Sequence, residues 1–149
     1  MSKCNCMNRQ NTILAILSAG ESLSYTPVQV QKLFFLVDKN ISDHDYLSLY
    51  NFQPYNYGPF DVEVYRDLER LSEQGLATVS MTGRWRMYSL TQEGYKMGRR
   101  GLDSLDEGVK QYLQELAKFV QSLSFADLVS AVYKAYPEMR ANSVFQDKP

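Results

Sequence analysis

With one histidine, two cysteines and no apolar run longer than five residues, the 149-residue chain lacks the material for several kinds of chemistry. His44 sits in the acidic loop Asp43-His44-Asp45, with no nucleophile at a spacing that would pair with it. Cys4 and Cys6 are too few and too close for a disulfide framework. With only His44 to join them, they fall short of the four ligands that structural zinc takes. Glycine-rich phosphate loops and the metal-protease and dinucleotide fingerprints are absent. A protein with no catalytic centre, metal or cofactor is therefore expected. The longest apolar runs, residues 13–17 and 33–37, are five residues each, against about 20 for a membrane span. No stretch has the charged, apolar, small-residue order of a secretory signal, so the cytoplasm is the expected location.

Net charge is also lacking, at −1 overall, which gives no general pull toward nucleic acid. Its distribution is uneven. Residues 1–83 carry net −3 and residues 101–149 net −2, while residues 84–100 carry net +4 from Arg84, Arg86, Lys96, Arg99 and Arg100 against Glu93. At 44% hydrophobic and 22% charged residues, the composition is that of a folded globular chain.

Residues 1–10 read as a flexible tail. Asn11 or Thr12 is the expected cap of a short helix ended by Gly20, and residues 21–25 read as a loop. A second helix starts at Thr26-Pro27, with Val30, Leu33, Phe34 and Val37 in one apolar stripe. Phe35 and Leu36 widen that stripe, so contacts on two sides are expected, and Asn40 closes the helix. Residues 41–45 read as a polar turn. An aromatic-rich run, residues 46–60, follows. A short strand at 48–50 is conceivable there, but Pro54 and Pro59 argue against long pairing. These aromatics suit both loop packing and a binding surface, and Tyr55, Tyr57 and Phe60 are the partner-binding candidates.

The centre of the chain lies beyond them. Gly58 permits backbone angles that Pro59 and its neighbours require, and Asp61 caps a third helix over 62–74. Val64, Leu68 and Leu71, with Tyr65, form its buried stripe, and Gly75 ends it. Residues 76–81 and 85–90 alternate as two strands joined through Thr82-Gly83, and Thr91 caps a fourth helix. Strand alternation places Arg84 and Arg86 together, on a face expected to be wet and positive. After a loop at 101–103 comes a long helix. Its Leu105, Val109, Tyr112, Leu116, Phe119 and Leu123 make a heptad-like seam that serves either a core face or a homodimer. A last helix over 125–136 is capped by Ser124 and ended by Pro137.

Two resemblances rest on these residues. DLERLSEQGLATVSMTGRWRMYSLTQEG, about 30 residues, resembles the helix, wing and following helix of winged-helix regulators of the multiple-antibiotic-resistance and phenolic-acid types. TPVQVQKLFFLVDK with PYNYGPFDVEVYRDLERL, over residues 26–71, is similar to the Panacea domain, the antitoxin-like family that includes the SocA proteolysis adaptor. An aliphatic residue usually stands in that family where this chain has Phe60.

The expected fold is α+β and mostly helical. A winged-helix-like core spans 11–100 with a β-hairpin wing, and two helices in 101–149 pack on it or form a dimer. The Panacea-like segment implies a non-catalytic antitoxin-like adaptor or regulator, with a toxin or a protease-system component as its protein partner. The other reading is a dimeric DNA-binding regulator, with Arg84, Arg86, Arg99 and Arg100 on phosphate or on an acidic partner. Against it stands the third helix, whose polar positions hold five acids and two bases and which internal pairs such as Arg66–Glu69 and Arg70–Glu73 would solvate.

Overall fold

Eight consecutive residues of the helix Pro27–Asn40, Val30 to Val37, are all buried. A computed structural model describes residues 8–41 and 49–145. Cys4, Cys6, the turn at 42–45, His44 and Tyr46 lie outside the described residues. The chain is α+β and mostly helical. It runs α1 (Arg9–Ser18), β1 (Ser24–Tyr25), α2 (Pro27–Asn40), β2 (Gln53–Tyr55), β3 (Gly58–Phe60), α3 (Glu63–Glu73), β4 (Ala77–Thr82), β5 (Trp85–Leu90), α4 (Gln92–Asp103), α5 (Glu107–Ser122) and α6 (Phe125–Ala135), then a 3-10 turn, Pro137–Arg140. No helix among the described residues is long and apolar enough to cross a membrane.

Local signals set most boundaries. Thr26 and Gln29 form a full capping box at α2, behind Pro27. Thr91 accepts the Gly94 N–H and Ser124 the Asp127 N–H, so α4 and α6 start where expected. Gly75, at φ +79°, ends α3 in the left-handed region, and the Leu76 N–H returns to Leu71 C=O. Asn40 donates back to Leu36 C=O at the end of α2.

Other boundaries differ from expectation. The cap of α1 is Asn8 rather than Asn11 or Thr12, and Thr12 is buried with its hydroxyl donating to Asn8 C=O. Arg9 adds the extra turn because its guanidinium is held by Asp67. Within the presumed loop 21–25, Ser24 and Tyr25 pair with Ser89 and Tyr88. That makes a three-stranded antiparallel sheet in the order β1-β5-β4. Two residues are too few to show a period. Residues 101–103 belong to α4 rather than to a loop.

The aromatic run forms its strand later than expected, as a second hairpin, β2 with β3. Pro54 lies opposite Pro59. Tyr55 and Gly58 close the turn, so the proline nitrogens point out of the ladder and no bond is lost. Ahead of it, Tyr50 and Phe52 pack edge-on against Phe34 and Phe35 of α2 at 5.4 and 5.6 Å.

Helices α5 and α6 lie on α2, and α4 lies on α1. The buried side of α5 is Val109, Leu113, Leu116, Ala117 and Val120. Leu105, just before the helix, is buried, but Tyr112 and Phe119 of the expected seam are exposed. The core face of α5 is thus turned toward Leu113 and Val120. Gln121 then fastens the α1–β1 loop: its carbonyl accepts from Glu21 and Ser22 N–H, and its amide donates to Ser22 and Ser24 C=O.

Candidate functional site

Two adjacent residues of α2, Gln31 and Lys32, hold the turn that the sequence singled out. The Gln31 amide donates to Asp61 C=O at 3.0 Å and its carbonyl accepts the Asp61 N–H at 3.0 Å. The Lys32 ammonium donates to Pro59 C=O at 3.4 Å. Lys32 is 2% exposed and meets no carboxylate among the described residues. Burial alone pushes its pKa down to about 7. Gly58, at φ +109°, lies against the end of the Lys32 chain, so a side chain there would be both strained and crowded. The glutamine-lysine-leucine helix and the tyrosine-glycine-proline turn thus form one clamp. Asp61 completes it, accepting the Glu63 N–H at the start of α3 and the Asn51 N–H of the aromatic run. Helix α3 itself begins at Glu63 after one tighter turn.

The clamp divides the three aromatic candidates. Tyr55 stacks on Phe60 at 4.8 Å, Phe60 meets Tyr65 of α3 edge-on at 5.7 Å, and Tyr65 stacks on Tyr88 of β5 at 5.6 Å. Tyr55 is 51% exposed, Phe60 and Tyr65 are half-buried, and Tyr88 is buried. A ladder of rings therefore runs from the β2–β3 hairpin across α3 to β5. Tyr57 belongs elsewhere. It meets Phe125 of α6 at 5.1 Å, and Phe125 meets Phe145.

The arginines are also divided, and the β4–β5 hairpin does not present Arg84 and Arg86 together as an unpaired positive face. Arg84 is exposed in the two-residue turn with Gly83, whose φ is +64°. Arg86 is in the strand and shares its face with Tyr88 and Leu90, both buried. That face turns toward α3, and Arg86 bonds Glu69 at 3.3 Å. Alternation read two residues further, to Tyr88, carries this information in the sequence. Arg99 and Arg100 lie on α4, which leaves from the opposite end of β5. Arg99 is 3.9 Å from Asp103, a carboxylate also held by Lys110 at 2.8 Å.

On α3 the ion pairs run backward rather than forward: Arg66 bonds Glu63, and Arg70 bonds Asp67. Glu69 is left to Arg86, and Glu73 has no ion-pair partner among the described residues. A cleft of about 420 Å³ lies between α3 and the β4–β5 hairpin, lined by Glu69, Ser72, Glu73, Val79, Met81 and Arg86.

Asp67, which reads in the sequence as one more solvated acid, is a buried hub. Its carboxylate accepts from the Arg9 guanidinium at 2.9 Å, from the Tyr50 hydroxyl at 2.7 Å and from Arg70. Arg9 also lies over the Tyr50 ring at 4.8 Å. No sequence signal marks this convergence, because Tyr50 and Arg9 are 17 and 58 residues from Asp67. Among the described residues no group of three or more His, Cys, Asp or Glu is placed to hold a metal ion. No family model, no curated protein and no solved structure matches the chain.

Proposed function

We propose that this chain is a non-enzymatic, antitoxin-like adaptor or regulator that works through a protein partner. The observation that carries this reading is the charge state of α3. Its two arginines are taken up by its own acids, which leaves Glu69 and Glu73 beside the cleft. Laying that helix into a groove lined by phosphates would set carboxylate against phosphate, where most nucleic-acid affinity normally originates. A protein surface imposes no such penalty, and half-wet tyrosines are what such interfaces use. The contact face is the ladder Tyr55–Phe60–Tyr65 with the wing beside it. The clamp of Gln31 and Lys32 on the Tyr57–Asp61 turn supports the Panacea-like reading, since it gives both halves of that resemblance one mechanical purpose.

Affinity capture from the native host tests this, comparing the wild type with a Tyr55→Ser/Phe60→Ser double variant. A host protein retained by the wild type and lost by the folded variant is the expected result. Absence of any retained protein, together with tight salt-sensitive DNA binding, overturns it.

One observation favours the DNA-binding alternative. The sheet has its first strand beside its last and the middle strand at the edge, and its hairpin follows a helix pair and carries an exposed arginine at its tip, as in a winged helix. That alternative requires Arg84→Ala with Arg86→Ala to weaken DNA binding and flatten its salt dependence. A gel-shift series across salt decides it.

A further inference from the structure

Strand β4 is an outer edge of its sheet, and the hairpin turn fixes which of its backbone groups are spent. A two-residue turn closes on a pair that exchanges both backbone bonds, here Thr82 and Trp85. Counting back by twos, Ser80 and Thr78 also direct their N–H and C=O groups to β5. Val79 and Met81 direct theirs away. Two bonds at the base of the ribbon agree with this phase. The Thr91 N–H crosses to Leu76 C=O at 3.1 Å, and the Leu90 N–H turns to the other side, to Leu23 C=O at 3.0 Å. The outward N–H and C=O groups of Val79 and Met81 meet no backbone partner among the described residues.

Folded proteins guard such edges with lysine, proline, bulges or a covering segment. Residues 77–82, Ala-Thr-Val-Ser-Met-Thr, have no charge and no proline, and they pair with β5 residue for residue without a bulge. Met81 is 62% exposed there. The cleft opens along this edge, with Val79 and Met81 on one side and Glu69 and Glu73 on the other.

We infer that the β4 edge takes up an extended segment of a protein partner as an added strand, one carrying lysine or arginine at alternate positions between aliphatic residues. This deepens the protein-partner reading and rests on it. Side chains two apart share a strand face, so alternate basic residues would reach the α3 carboxylates while the backbone pairs with Val79 and Met81. A second copy of this chain fits worse. Two-fold pairing of β4 with itself puts both α3 helices on the same side of the joined sheet, where Glu69 and Glu73 of each copy would face their own kind.

Two capped synthetic heptapeptides, alternating Lys–Val and alternating Glu–Val, test this against the full chain by amide NMR titration. The Lys–Val peptide is expected to shift the amides of Val79 and Met81 most, and to bind at least tenfold more tightly than the Glu–Val peptide. Val79→Pro removes the outward N–H without breaking a bond to β5, and should cut that binding at least tenfold with an unchanged far-UV spectrum. If that variant fails to fold, Met81→Lys serves instead, by placing a like charge at the edge. Hydrogen exchange in the free chain adds a separate check: Val79 and Met81 should exchange fast, and Thr78 and Ser80 slowly. Slow exchange at Val79, equal binding of both peptides, or a concentration-dependent dimer that protects these amides overturns the inference. Loss of peptide binding alongside intact host-protein capture sinks the edge site alone. Peptide binding without any captured host protein counts against the proposed function instead.

Discussion

Lys32 makes the pH dependence of stability calculable in sign. Its folded pKa is lowered to about 7, against an ordinary value of 10.5. Between these values the unfolded chain holds a proton that the native chain does not, so stability rises with pH, by at most about 1.4 kcal/mol per pH unit. Below 7 both states are protonated and the contribution is flat. Burial raises Tyr25, Tyr50 and Tyr65, the last to about 12, so above 10 the unfolded chain loses phenolic protons first and stability falls. Urea melts from pH 6 to 11 should therefore rise and then fall, and Lys32→Met should flatten the rising limb. Asp67 gives a second test. Asp67→Ala strands Arg9 and Tyr50 together and should cost about 2–4 kcal/mol in equilibrium unfolding.

Helix α4 is packed tightly at two glycines, Gly98 against α1 and Gly94 against the residue after Gly75. A methyl group at Gly98 would overlap the Leu14 carbonyl, and one at Gly94 the Leu76 carbonyl, both backbone atoms that cannot swing aside. Gly98→Ala should destabilise by about 2–3 kcal/mol, whereas alanine at Gly108, which has open space around it, should change stability by a few tenths, both read from thermal melts. The sequence shows the ends of these elements better than their company. Gly75, Thr26, Thr91 and Ser124 act on backbone within four residues and were legible for that reason. Asp67 has one partner, Arg70, within its own helix, but Tyr50 and Arg9, like the partners of Gln31 and Gln121, sit 17 to 100 residues away, and nothing in a linear pattern selects them. The β4–β5 hairpin is an intermediate case. Its pairing was readable from two short alternating runs, but the direction of Arg86 required following that alternation into the buried Tyr88 and Leu90.

At the scale of the whole molecule, the last two helices complete the core that α2 begins. Leu113, Val120, Leu128 and Val132 are buried with Val30 and Leu33 through Val37 in one cluster. A chain cut after Leu105 would leave much of α2 bare, so it is expected to lose its cooperative melt and its near-UV spectrum, which circular dichroism reads directly. Gln121→Ala is a gentler version. It frees four bonds of the 21–24 loop and should speed amide exchange there while the α2 amides stay slow.

The strand order has a kinetic corollary. The hairpin of β4 and β5 can zip from its own turn within microseconds, but Ser24 must find Ser89 across 65 residues before the sheet is whole. During synthesis the N-terminal strand leaves the ribosome long before its mate exists, and it waits with its backbone wet. Closing that seam is the step at which the front of the chain learns whether the back has been made.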